Sequence, residues 1–390
     1  MFSVAPIPAA ELDAVLDPAG TGRMLPAAAY LDPAVLEWER AHLFAATWAC
    51  AGRAAGLVAP GARRAVRVAG RALLLVRGGD GRLRAFHNVC RHRGSELLAC
   101  GATVARGPIS CPYHAWAYDP EGRLRSTPRF RPPAGFDPAD HGLVPVRAEE
   151  WHGWAMVDLS GGAPPLADHV GDLDGLVAPY GCAGLTVVAA HEYVVAANWK
   201  LPVENFHECY HCPSIHPELC RVSPPASGAN LDRPGRWFGG TMALADGVET
   251  MSLDGRSGGE PLPGLGERER RTVLYVQLFP NLLLSVHPDY VMSHRLEPLA
   301  AGTTAVECEW LVAPATAARP GFDPAWAVDF WDLTNRQDWA ACEGVQRGVA
   351  SPGYRPGPFS EAEDAVAGFV RLVARAYRDG GLAPPAGSTT

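Results

Sequence analysis

Cys90-Arg91-His92 and Cys111-Pro112-Tyr113-His114 each carry one cysteine and one histidine, on two short segments eighteen residues apart. Two thiols and two imidazoles so spaced can share one inorganic centre only if both segments become neighbouring loops. The pattern therefore constrains how the intervening chain folds. One occupant is a zinc ion in a tetrahedron of four ligands. The other is a [2Fe–2S] centre with two thiolates on one iron and two imidazoles on the other. Zinc patterns usually pair like with like, C-x2-C with H-x3-5-H. Here each segment supplies one of each, which suits a centre whose two irons differ in ligation. A zinc ribbon, or four unrelated core residues, is the structural alternative.

The surrounding chain, residues 46–150, reads as a small all-β domain. Ala65–Arg77 is strand-like, Gly78-Gly79-Asp80-Gly81 turns it, and Leu83–Asn88 returns. Asp119-Pro120-Glu121-Gly122 separates Trp116–Tyr118 from Arg123–Arg125 in the same manner. Ahead of it, residues 1–45 read as a helical segment packing on the later domain, with Val35, Leu36, Trp38 and Leu43 at near-helical spacing. Residues 151–390 mix both periodicities. Thr186–Ala196, Thr272–Pro280, Leu282–His287 and Thr304–Val312 read as strands; Asn198–His211 and Pro324–Gly348 read as helices. A last helix opens with Ser360 and Glu363 in capping-box spacing and ends near Gly380. The fold class is α+β.

The segment Asn198–His211 supplies a second constellation. On a helix capped by Asn198, Glu204, Glu208 and His211 would fall at i, i+4 and i+7, on one face. Pro213 would end the helix, with His216 on the exit turn. Two imidazoles and one carboxylate on one face of an iron leave its other positions open. His207 competes with His211, since either could project near a metal.

Composition narrows the classes. The net charge of −8 argues against nucleic acid, which needs a concentrated basic surface; the one charged run, Glu267–Arg271, alternates in sign and reads as a solvated loop. No stretch approaches the roughly 20 apolar residues of a membrane span, and the first residues lack a basic region followed by an apolar one, so a cytoplasmic protein is expected. In that compartment the ten cysteines are expected to be thiols or metal ligands rather than disulfides. Cys50, Cys182, Cys308 and Cys342 lie among apolar residues as buried spacers.

With His92-Arg93-Gly94 and Tyr113-His114-Ala115-Trp116 flanking the first pairs, the β segment resembles Rieske domains. Nearly the whole chain resembles the α-subunits of Rieske non-haem iron oxygenases, and more closely the branch acting on glycine betaine, choline, carnitine and stachydrine. The closer match is carried by Asn198–His216, Phe279–Ser285, His287-Pro288-Asp289-Tyr290 and Gln337-Asp338-Trp339 through Gln346. This resemblance implies a Rieske [2Fe–2S] cluster on Cys90, His92, Cys111 and His114, in a β domain inserted into a helix-grip α/β catalytic domain. It also implies a mononuclear Fe(II) on His211, His216 and an aspartate of the long C-terminal helix. Asp338 is that aspartate; Asp332, six residues away, faces largely elsewhere. It further implies a head-to-tail homotrimer, in which Glu208 links an iron histidine to a cluster histidine of a neighbouring chain, His114 or else His92. Most related chains carry Asp there. No nicotinamide or flavin motif is evident, so a separate NAD(P)H-dependent reductase, of flavin or ferredoxin type, is expected to supply electrons for a reaction of O2 with a small organic molecule. On an N-methyl group that reaction is N-demethylation. Trp237, Phe238, Tyr275, Phe279 and Tyr290 are the aromatic candidates for holding a quaternary ammonium by cation–π attraction. An aromatic-ring or aryl-O-methyl oxygenase, and a Rieske electron carrier without oxygenase activity, remain the competing expectations.

Overall fold

The computed structural model describes residues 4–17, 22–231 and 235–384. The chain divides into two compact units, Phe44–Ala163, and Met1–Leu43 together with Pro164–Thr390. Among the described residues no helix is long and apolar enough to cross a membrane.

The strands of Phe44–Ala163 are β1 (Trp48–Arg53), β2 (Arg63–Val68), β3 (Arg71–Arg77), β4 (Leu83–His87), β5 (Thr103–Val104), β6 (Ile109–Ser110), β7 (Ala117–Tyr118), β8 (Leu124–Ser126), β9 (Pro145–Trp151) and β10 (Trp154–Asp158). Seven of them form a sheet in the order β1-β10-β9-β4-β3-β2-β5, and β6-β7-β8 form a second. A domain boundary at 150/151 would cut through the β9–β10 hairpin and separate β10 from its partner β1. The unit therefore runs on to Ala163. Ala65–Arg77 is not one strand but two: β2 and β3 pair antiparallel about Ala69-Gly70, which have φ of 51° and 75°. An alanine at positive φ lacks the Gly or Asn signature of such a turn, so the run reads as continuous. Alternation along β3 sends Leu73 and Leu75 into one apolar cluster and Leu74 and Val76 into another, which also holds Cys90, Cys111, Trp116 and Tyr118.

The other unit is built on a seven-stranded antiparallel sheet. Its strands are β11 (Thr186–Val195), β12 (Ala229–Asn230), β13 (Trp237–Ala243), β14 (Thr272–Leu278), β15 (Leu282–Val286), β16 (Tyr290–Ala300) and β17 (Thr303–Val312), in the order β11-β17-β16-β15-β14-β13-β12. Sequence pattern misses β13 and β16. β16 is buried on both faces over most of its length, so it shows no polar alternation. β13 contains Gly239-Gly240, where a Cβ would lie 2.0 Å from Tyr275 O and 2.1 Å from Ala229 O. Only glycine lets these strands approach so closely.

The helices that matter for the site are α1 (Pro33–Glu39), α2 (Lys200–Phe206), α3 (Cys212–Ile215), α4 (Pro217–Val222), α5 (Ala325–Val349) and α6 (Asp364–Asp379). α5 packs its Phe330 and Trp331 against Val273, Tyr290, Met292 and Trp310 of the sheet. Trp331 Nε1–H donates to Tyr290 Oη at 2.7 Å. α2 is anchored by a buried ion pair: Lys200 Nζ lies 2.5 Å from Glu39 Oε1, and both side chains are fully buried. Trp199 Nε1–H and the Tyr377 hydroxyl also donate to Glu39, so the carboxylate has the partners that a buried charge requires. Lys200→Met removes the cation and leaves Glu39 buried. Destabilisation of about 3–5 kcal/mol is expected from the urea midpoint; a loss below about 1 kcal/mol would show that the pair anchors nothing.

Candidate metal centres

In Phe44–Ala163 the two Cys–His segments fold into equivalent loops. Cys90 N–H donates to Ser95 O (2.8 Å) and Gly94 N–H to Cys90 O (3.1 Å); Cys111 N–H donates to Trp116 O (2.8 Å) and Ala115 N–H to Cys111 O (3.1 Å). Gly94 and Ala115 occupy matching left-handed positions, φ 74° and 56°. The cysteines are buried, while His92 and His114 are half-buried with ring centroids 4.7 Å apart. His92 stacks on Trp116.

Three features of this pocket fit a mixed-ligand cluster. His114 Nδ1 is buried without a hydrogen-bonding partner in the protein. The Tyr118 hydroxyl lies 3.4 Å from Cys90 Sγ. Burial pushes the Cys90 thiol up, whereas at Cys111 the backbone N–H groups of Tyr113 and His114 outweigh burial and hold the thiol down. N–H and O–H donors aimed at sulfur are the usual means of adjusting a cluster's potential. The buried cysteines would hold a cluster on the inner side and the half-buried histidines on the outer side, and such a cluster would supply electron transfer.

In the unit built on strands β11–β17 the expected helix Asn198–His211 is broken. Asn198 Oδ1 accepts from Lys200 N–H at 3.1 Å, and α2 stops at Phe206. Glu208 causes the break: its Oε2 accepts the backbone N–H groups of Tyr210 and His211, a side-chain turn that competes with helical bonding. Pro213 does not end a helix but sits in the first turn of α3, where its missing N–H costs nothing. Glu204 therefore shares no face with Glu208 and His211. It accepts from the Tyr30 hydroxyl (2.9 Å) in the core, where burial pushes its carboxyl up to about 7.

His211 and His216 flank α3, and α5 brings Asp338 to them. Asp338 Oδ1 lies 2.8 Å from His216 Nε2 and 3.4 Å from His211 Nε2, and one ligand atom from each residue falls within 4.8 Å of the others. The tautomers suit a metal. His211 Nδ1–H donates to Glu208 Oε1, and His216 Nδ1–H donates to Gln337 Oε1 (2.7 Å). Both Nε2 atoms consequently present lone pairs on the side of Asp338. Burial opposes a charge on His211, but Asp338 and Glu208 overcome it and raise its pKa to about 9. A divalent cation satisfies the same excess of negative charge by displacing that proton.

His207 is excluded. Its Nε2–H donates to Gln277 Oε1 (2.9 Å), and burial lowers its pKa to about 4, as for a neutral core histidine. Asp332 is excluded as well, being held by Tyr193, His191 and Arg336 away from the triad. One expectation fails outright: Cys209 and Cys212, on either side of Tyr210-His211, form a disulfide. The turn at Glu208 brings their Cα atoms to 4.9 Å, within disulfide reach, whereas compartment alone argues for thiols. Cys50, Cys182, Cys308 and Cys342 are buried thiols outside that disulfide.

The triad opens into a cavity of about 740 Å³, within the usual range for small-molecule sites of about 300–1,000 Å³. Of the five aromatic candidates only Tyr275 lines it. Trp237, Phe279 and Tyr290 are buried elsewhere, and Phe238 packs on Phe369. Phe206 and Trp331, not singled out from the sequence, line it instead, with ring centroids 6.1 and 6.2 Å from that of Tyr275. Trp331 was detectable, since it lies two turns before Asp338 on one helix face. The walls also carry Glu208, Asp338, Glu361 and Asp364, and among the described residues no lysine or arginine.

Residues 47–145 match the Rieske [2Fe-2S] domain, and residues 182–379 match the ring hydroxylating alpha subunit (catalytic domain). The glycine betaine monooxygenase oxygenase subunit of Chromohalobacter salexigens is 34% identical over 378 residues, covering 89% of this chain and 84% of that protein. The carnitine monooxygenase oxygenase subunit of Escherichia coli is 37% identical over 370 residues, covering 91% and 94%. The solved structure of the quaternary ammonium Rieske monooxygenase CntA shares the fold, with a TM-score of 0.82 at 24% identity over 96% of this chain and 100% of that one. The family carries a [2Fe–2S] cluster and a mononuclear iron, and this chain belongs to it as the oxygenase subunit of a multi-component Rieske monooxygenase.

Proposed function

We propose that the chain carries out oxidative N-demethylation of a quaternary ammonium compound, using O2 and electrons from a separate NAD(P)H-dependent reductase of flavin or ferredoxin type, as a cytoplasmic homotrimer. Cys90, His92, Cys111 and His114 hold the cluster, and His211, His216 and Asp338 hold the mononuclear iron. When bound, these groups supply electrons and the activation of O2. The protein's own residues choose what reacts.

The cavity is the observation that carries this reading. Its ring faces from Phe206, Tyr275 and Trp331 attract a cation without needing a hydrogen from it. Its acids favour positive charge, and among the described residues it has no lysine or arginine to pair with an anionic aromatic acid. The glycine betaine and carnitine monooxygenase subunits it resembles are named for quaternary ammonium compounds. In the reaction one methyl C–H becomes C–OH while O2, two electrons and two protons are consumed and one water forms. The N–C bond of that carbinol then breaks, its electron pair stays on nitrogen, the hydroxyl loses a proton, and the carbon leaves as formaldehyde.

Glu208 orients His211 through Nδ1 and is only partly buried, which is compatible with a second contact to a histidine of a neighbouring protomer's cluster. Asp338→Ala is expected to lower iron from about three to about two atoms per chain while the cluster's visible absorption stays; unchanged iron would remove Asp338 from the ligand set. Reduced holoenzyme mixed once with O2 and a panel of trimethylammonium compounds should release formaldehyde as the cluster reoxidises. Glu208→Ala should keep both metals and slow that turnover by at least about 100-fold. A hydroxylated aromatic in place of formaldehyde would contradict N-demethylation, and normal turnover in Glu208→Ala would contradict the bridging role.

A further inference from the structure

The charges around the cavity are unevenly placed, and their placement bears on the part of the substrate that does not react. The floor is buried: His216 at 1% exposure, Trp331 at 5% and Leu219 at 6%. Exposed lining residues, among them Tyr210, Pro213, Ala229, Asn230, Glu361 and Asp364, form the rim. Trp331 lies about 10 Å along α5 from Asp338, by the 1.5 Å rise per residue. A substrate with a methyl group at the triad therefore shares its cavity with Phe206, Tyr275 and Trp331 and with the acids of the rim.

Two carboxylates wait there, Glu361 and Asp364. Asp364 accepts from Asn230 Nδ2, which fixes it at the edge of β12. No lysine or arginine lines any part of the cavity among the described residues. A carboxylate on the substrate's tail would meet like charge and, among the described residues, no lysine or arginine to pair with, whereas a hydroxyl can donate to either acid.

We propose that Glu361 and Asp364 are specificity-determining residues that select a net cation, a quaternary ammonium with an uncharged hydroxyl-bearing tail, over a zwitterionic betaine. The selection rests on the quaternary-ammonium reading above and narrows it. The two acids act on binding rather than on the chemical step, because they line the same cavity without belonging to the His211–His216–Asp338 group.

Choline and glycine betaine test this directly, since they differ only in CH2OH against COO⁻. Each is titrated calorimetrically into holoenzyme, and formaldehyde is measured on the same samples. Choline is expected to bind at least about 10-fold more tightly, with the preference shrinking as salt screens the rim. In Glu361→Gln/Asp364→Asn the ratio should fall towards one, through weaker choline binding and tighter betaine binding. Glu361→Gln alone, an exposed and isosteric change, should move it part of the way and guards against misfolding of the double variant. Betaine binding as tight as choline in the parent, or a ratio unmoved in both variants, would overturn the selection whatever formaldehyde appears. Choline preference with no formaldehyde from either compound would instead keep the selection and overturn N-demethylation.

Discussion

The Glu208 carboxylate is the interaction on which the catalytic site depends. One oxygen takes the backbone N–H groups of Tyr210 and His211, and the other takes the imidazole N–H of His211. The first pair of bonds stops a helix that would otherwise carry His211 past the site. The third bond then turns His211 Nε2 towards Asp338. One side chain thus sets the backbone, the tautomer and the direction of a histidine. Hydrogen bonds to a charged carboxylate are individually worth about 1.5–3 kcal/mol, and losing them together would loosen the Tyr210–His211 turn, while His216 keeps its own bond to Gln337.

The rest of the unit holds that turn in place from behind. α2 ends one residue before His207, and the buried Lys200–Glu39 pair fixes its first turn. His207, neutral and bonded to Gln277, closes the last turn onto β14. α5 arrives from the other side with three residues in use: Asp338 at the triad, Gln337 behind His216, and Trp331 along the cavity. The small glycines of β13 let the sheet edge close in beneath the same cavity. The acids left over after His211 and His216 are satisfied give the cavity its negative character.

Much of this was legible in the chain itself. Mixed Cys–His pairs on two loops indicated a small β domain and its centre, because loops must converge to share ligands. His211, His216 and Asp338 rested on motif resemblance, and the structure brings them together. The helical face of Glu204, Glu208 and His211 was misread, since periodicity cannot register a carboxylate capturing its own downstream N–H groups. The Ala69-Gly70 turn and β16 escaped because one lacks turn residues and the other lacks alternation. The Cys209–Cys212 link follows from that same unseen turn. Glu361 and Asp364 were not singled out from the sequence; their place on the cavity comes from tertiary packing that no local pattern encodes.

The most direct measurement is Mössbauer spectroscopy of the chain reconstituted with isotopically enriched iron and sulfide. Two inequivalent cluster irons and a high-spin ferrous site in a ratio of about two to one are expected, as the two proposed ligand sets, four mixed ligands and one facial triad, require of a single chain. Cluster signals alone, in protein whose His211, His216 and Asp338 are intact, would contradict the second centre and reduce the chain to an electron carrier.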